Sequence, residues 1–155
     1  MRSPILPLFS ALGVALRESV PQVKLYSDPP QFDDEEDAAR RMSQVEFWPI
    51  AVIGQVVSEE AEMKTRSDAL VSFTVSVWTR EESRKGCLEF AEAIRRRLID
   101  GPQIDGSPDE FSFSSFRLDR LDSNPAIFDG SAHYQEAAMT LLVRARDLRV
   151  VNQKL

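Results

Sequence analysis

One histidine, His133, and one cysteine, Cys87, are the natural candidates for nucleophilic or near-neutral acid–base chemistry in this 155-residue chain. A Cys–His pair works only if the two side chains meet in space. Cys87 falls on the apolar stripe of an expected helix, where a free cysteine reads as a small hydrophobe and not as a catalytic thiol. His133 precedes a strand beside Tyr134 and reads as a surface hydrogen-bonding group. The second candidate chemistry is cation binding by five consecutive carboxylates, Asp33, Asp34, Glu35, Glu36 and Asp37. A hard cation such as Ca²⁺ or Mg²⁺ takes oxygen ligands, but a calcium loop spaces them and turns at a glycine. This run does neither, so it reads as a solvated loop whose like charges stay in water. There is no glycine-rich phosphate loop, no Gly-x-Ser-x-Gly elbow and no histidine pair at metal-ligand spacing. No catalytic, cofactor-binding or metal-binding residue is expected.

Binding chemistry is better represented. Arg95-Arg96-Arg97 and the group Arg144, Arg146 and Arg149 are local basic clusters. A solvated helix face accounts for the first, although guanidinium groups also suit ion pairs between subunits. Trp78 sits on the side of its strand opposite an apolar stripe. There it is either covered by a helix of its own chain or anchors a neighbour.

Composition sets the frame for these residues. The chain is 43% hydrophobic and 28% charged, as in ordinary soluble domains. Its length allows one domain with a substantial core. A net charge of −6 excludes a chain-wide basic footprint for gripping nucleic acid, leaving a local patch open. A single cysteine excludes an internal disulfide framework and a multi-cysteine zinc site within one chain, and it fits a reducing cytoplasm.

The elements that must position these groups are legible from periodicity. Val71, Phe73, Val75 and Val77 alternate with Ser72, Thr74, Ser76 and Trp78, the pattern of a half-buried antiparallel strand. Thr79-Arg80-Glu81-Glu82 has the form of a capping box that would start a helix directly after it. That helix carries Cys87, Phe90, Ala91, Ile94 and Leu98 inward and Glu89, Glu92, Arg95 and Arg96 outward. Asp100-Gly101-Pro102 would end it, with Gly101 in the left-handed region. Earlier, Ile5, Leu8, Phe9, Leu12, Ala15 and Leu16 form one helical stripe, an amphipathic core helix in preference to a secretory signal, and too short to span a bilayer. The chain therefore reads as soluble.

Between the two helices, residues 20–26 look extended, the polar tract from Gln31 to Glu46 looks like a loop with a helical turn near Ala38–Val45, and Pro49 to Val57 reads as a central strand. That strand is the expected hairpin partner of the alternating one. After the second helix, Phe111, Phe113, Phe116, Leu118 and Leu121 mark a strand whose alternation slips at Ser114-Ser115, as a bulge would make it. Ser123-Asn124-Pro125 and Asp129-Gly130 punctuate a loop, and the last strand runs from about Tyr134 to Arg146. The expected fold is α+β: an antiparallel sheet of about four strands with two main helices packed on one face. It forms a single domain over residues 1–149, with residues 150–155 as a flexible tail.

These elements, in this order, resemble the tail-completion, or tail-terminator, family of long-tailed phages and phage-derived particles. The resemblance runs from about Leu6 to Asp147. Its carriers are an opening amphipathic helix, the extended piece Val23 to Pro30, the strand Trp48 to Gly54 and the element Met63-Lys64-Thr65-Arg66. They continue with Val75-Ser76-Val77-Trp78-Thr79, the helix Glu89 to Arg95, Asp129-Gly130 and the closing Arg144-Ala145-Arg146. The acidic tract is longer than such proteins lead one to expect.

The resemblance implies a structural job and no reaction. Such proteins form a homo-hexameric ring that caps the tail tube, stops its polymerisation and meets the head connector. The implied partners are further copies of the chain, the major tail tube protein and a head connector or neck protein. DNA would pass through the lumen without specific binding, and neither a membrane nor a cofactor is involved. The implied place is the tail–head junction of a virion assembled in the host bacterial cytoplasm. Trp78, Arg95, Arg96, Arg144 and Arg146 are the expected contact residues, and Asp33 to Asp37 the expected channel or rim. Another neck protein, a small ligand-binding α+β domain and a metal-using hydrolase remain as alternatives.

Overall fold

The computed structural model describes residues 3–59, 68–105, 110–128, 130 and 132–149. The element Met63-Lys64-Thr65-Arg66, Asp129 and the expected tail 150–155 lie outside the described residues. In chain order the elements are helix α1 (Ile5–Ser19), strand β1 (Lys24–Tyr26), helix α2 (Glu35–Met42), a 3₁₀ turn (Val45–Phe47), and strands β2 (Ile50–Glu59) and β3 (Asp68–Thr79). Helix α3 (Lys85–Arg95) follows, with a π turn (Arg96–Asp100), then strands β4 (Ile104–Asp105), β5 (Phe111–Phe128) and β6 (His133–Asp147).

The sheet corrects the expected one in size and in sense. Its order is β1-β2-β3-β6-β5-β4, and β1 runs parallel to β2 while every other pair is antiparallel. The fold is α+β, with three α-helices and a mixed six-stranded sheet among the described residues. The expected extended piece at residues 20–26 is present as β1, but three residues show too little alternation to place it in the sheet, and β4, of two residues, shows none.

Periodicity placed the core correctly. Val71, Phe73, Val75 and Val77 of β3 are fully buried, as are Ala137, Leu141 and Val143 of β6, with Met139 only 1% exposed. Against this face pack Leu8, Ala11, Leu12, Ala15 and Leu16 of α1 and Cys87, Ala91 and Ile94 of α3. Helix α1 touches both β1 and β4, so it lies across the width of the sheet. The expected bulge is present. The register of β5 shifts between Ser114 and Arg117, and Ser115 takes φ 57°. One extra residue there returns Phe116 to the face already holding Phe111 and Phe113, where it meets Phe73 edge-on at 6.2 Å.

Three local expectations fail, the first two because strand pairing overrides local signals. Thr79 does not cap α3, because it is the last residue of β3 and pairs with Gln135 of β6. The helix starts at Lys85, whose N–H donates to Ser83 Oγ at 3.1 Å, and the intervening carbonyls of Glu81 and Glu82 accept from Gln135 Nε2 at 3.0 and 3.2 Å. Ser123-Asn124-Pro125 is no loop but an irregularity within β5, which stays paired to β6 as far as Phe128. Gly101 has φ −81° and ψ 176°, so it is extended and not left-handed. It is needed for space: its N–H donates to the Arg96 carbonyl at 3.1 Å, closing the π turn, and an added Cβ would collide with the Arg97 carbonyl oxygen.

Candidate assembly surface

The face of the sheet away from α1 and α3 carries the first feature. Pro29, Pro30, Phe32, Met42, Phe47 and Trp48 lie over one end of it, while the two main helices, α1 and α3, share the opposite face. Phe32, Phe47, Trp48 and Tyr134 form an aromatic chain with centroid spacings of 6.0, 4.9 and 5.3 Å. Trp48 Nε1–H donates to the Met42 carbonyl at 2.8 Å, and the Arg41 guanidinium lies 5.0 Å from the Phe32 ring centroid. Beside this chain opens an apolar groove of about 580 Å³, lined by Pro30, Met42, Val52, Trp78 and Ile127 among others. Trp78 is thus half-buried in a groove wall, paired in register with Ile50 and Glu136. No α3 residue covers it; the neighbouring cover comes from Trp48 and its chain.

The acidic run has a structural explanation that charge pattern alone did not reveal. It is the start of α2 and not a loop. Asp34 caps that helix, accepting from the Asp37 N–H at 2.7 Å, and Glu35, Glu36 and Asp37 occupy the first turn, where negative charge complements the helix dipole. Asp37 accepts from the Asp33 N–H at 3.1 Å and pairs with Arg40. That backbone donor, helped by Arg40, holds its carboxyl below the usual range. Asp33, Glu35 and Glu36 remain exposed. The spacing Asp34-x-x-Asp37, followed by Arg40 and Arg41, is the cap signal that the charge run obscured. Among the described residues no three potential ligand side chains converge on one point.

The arginines divide into two intrachain networks. On α3, Arg95 forks onto Glu92 through Nε at 2.9 Å and Nη2 at 2.6 Å, while Arg96 Nε reaches the same carboxylate at 3.3 Å. The Arg95 hydrogen bonds outweigh desolvation and pull the Glu92 carboxyl down to about 2. On the other face, Arg144 and Arg146 converge on Asp68 at 2.5 and 3.2 Å. Burial works to raise the Asp68 pKa, but the two guanidinium groups outweigh it and the net shift is downward.

The nucleophile candidates have different surroundings. Cys87 is 1% exposed beneath α3, donates to the Val77 carbonyl at 3.2 Å, and has its thiol pKa pushed up by burial. His133 stacks on Phe128 at 4.7 Å where β6 begins. No helix among the described residues is long and apolar enough to cross a membrane.

Sequence reasoning missed the two sheet margins. Among the described residues, no strand pairs with the outer side of β2 beyond Val52 or of β5 beyond Phe113. Leu121, Ile127 and Phe128 on β5 and Val57 on β2 are four of the seven large apolar side chains left exposed among the described residues. The long β5 pattern from Phe111 onward was the available signal.

Comparison with known proteins bears on the whole chain. One chain of the virion of the native gene transfer agent (GTA) particle superposes with a TM-score of 0.56 at 17% identity, covering 94% of this chain and 99% of that one. The bacteriophage SPP1 gp17 protein matches with a TM-score of 0.44 at 17% identity, over 91% and 88% of the two chains. The likeness to the GTA chain is one of fold. No curated protein matches. Residues 12–135, from the middle of α1 to the start of β6, match the family of tail completion protein gp17, and the chain belongs to that family.

Proposed function

We propose that this protein completes a phage-type tail by closing as a homo-hexameric ring on the end of the tail tube, ending its growth and joining it to the head connector. The observation that carries this reading is the family match over residues 12–135. The protein then works as a virion component at the tail–head junction, assembled in the host bacterial cytoplasm, and catalyses no reaction. A closed ring repeats one heterologous interface and leaves no protomer edge unused. The exposed apolar side chains and open strand margins supply material for such a contact.

Within this reading, Trp78 and the outward donors of Arg95, Arg96, Arg144 and Arg146 meet neighbouring subunits, the major tail tube protein or the connector. Interfaces favour Trp and Arg in this way. The exposed carboxylates from Asp33 to Glu36 and the rest of the Asp33–Asp37 turn face the channel or rim. A net charge of −6 and an acidic lumen repel phosphates, so DNA passes without being gripped. The apolar groove favours one second reading, a small-ligand domain, which a metabolite co-purifying at Trp78 would support.

The test is to add the protein to its tail tube protein during polymerisation and to image the products by negative stain. Rings at one tube end with growth arrested are expected. Unrestrained tubes with no ring at either end would contradict the reading.

A further inference from the structure

We propose that neighbouring copies join through their sheets, the open margin of β5 in one protomer pairing with the open margin of β2 in the next. The inference rests on the ring reading above and names the contact that would build the ring. Four observations support it. First, the two open margins lie on opposite sides of one sheet, so a single contact repeated head to tail uses both and leaves none over.

Second, the polarity is right. β2, β3, β6 and β5 alternate in direction, so β5 of one copy meets β2 of the next antiparallel, the better-bonded arrangement. Third, the short strands do not obstruct it. Among the described residues, β1 covers β2 only at Ile50–Val52, and β4 covers β5 only at Ser112 and Phe113, at opposite ends of the sheet. Copies offset along the strands clear both, and a ring of offset strands closes when the strands incline to its axis. Fourth, one apolar pair shares a face. Ile127 is 53% exposed on β5 and Val57 is 46% exposed on β2, and through their partners Tyr134 and Ser72 both belong to the face away from α1 and α3, so this pairing can set one against the other.

Long bare margins invite indiscriminate pairing, and bulges restrict it. β5 has irregularities between Leu118 and Arg120 and between Asn124 and Ile127, which bracket a regular run at Arg120–Asn124. On β2 the register shifts between Gly54 and Val57, where Gln55 takes φ 41°. These kinks leave few registers in which a partner strand fits, which selects one neighbour over aggregation.

Disulfide trapping tests this on the full chain. Val57→Cys is combined in turn with Arg120→Cys, Asp122→Cys and Ile127→Cys, which share its face of the sheet, with each single variant as a control, under mild oxidation. At least one double variant is expected to give a non-reducing ladder ending at the hexamer, while the single variants stay uncrosslinked. Rings by negative stain with no ladder in any double variant would overturn the edge pairing and leave the ring reading standing. Crosslinking of single variants would show a two-fold contact and overturn the pairing. Neither ring nor ladder would overturn both. As a second readout, Leu121→Lys and Ile127→Lys should weaken assembly at least about tenfold without shifting monomer unfolding.

Discussion

Arg144 Nη2 lies 2.5 Å from Asp68 Oδ2, across the strand pair that joins β6 to β3, and Arg146 binds the other carboxylate oxygen at 3.2 Å. Asp68 is 6% exposed, whereas the side chains of Arg144 and Arg146 are 43 and 48% exposed. One carboxylate therefore orients two guanidinium groups that remain exposed. This arrangement holds both arginines in place within the chain, so in the proposed contact less order would remain to be imposed.

Asp68→Asn keeps the shape and removes the charge. Leaving two half-buried cations without their anion is expected to cost about 1–3 kcal/mol at neutral pH, read from urea unfolding. The folded pKa of Asp68 is depressed, so its contribution is present above the ordinary carboxylate value and lost as pH falls through the lower folded value. The gap between wild type and variant should therefore close in acid. A constant gap would show that shape, not charge, is responsible.

Glu92 gives a second titration. Its carboxyl should titrate at about 2 by carbon-detected NMR, and Arg95→Gln should return it toward the ordinary range. The shift is again downward, so whatever the pair adds to stability is held above the ordinary value and disappears only as pH drops toward about 2. The pair is solvent-facing, so Arg95→Gln should leave the monomer melting temperature close to wild type.

Glycines separate space from conformation. Gly13 lies within α1 and an added Cβ meets nothing within 4 Å, so Gly13→Ala should stabilise the protein by about 1 kcal/mol through helix propensity. Gly101→Ala places its Cβ against the Arg97 carbonyl oxygen and should destabilise by about 1–3 kcal/mol. Thermal unfolding of both variants checks the pair. Equal effects of the same sign would contradict the geometry.

Ser115 holds φ 57° at the bulge that returns Phe116 to the core. Ser115→Val, β-branched at a left-handed position, should cost about 1–2 kcal/mol, while Ser115→Gly should be neutral or slightly stabilising. Urea midpoints of the two variants decide it.

Much of the core was legible in the sequence because β3, β6, α1 and α3 repeat their apolar residues over many turns or pleats. Val71 to Val77 and Ala137 to Val143 report their faces unaided, and so does the slip at Ser114-Ser115. What escaped was decided by distant contacts. Thr79 looks like a cap until Gln135 pairs with it, and the acidic run looks like a loop until Asp34 is seen closing the first turn of α2. Lys24–Tyr26 reads as a short extended piece, but its parallel place in the sheet is set by Ile50–Val52 beside it. Trp78 was recognisable as an exposed-face aromatic. The groove around it is assembled from Pro30, Met42, Trp48 and Ile127, which no local pattern links.

The ring is the central claim, and the mass of the protein bound to tail tubes tests it most directly. Native mass measurement of the purified protein, alone and after release from capped tubes, should give a species six times the 17.5 kDa of one chain, seen as an annulus by negative stain. Monomers or two-fold dimers under both conditions, with tube ends left bare, would contradict the account.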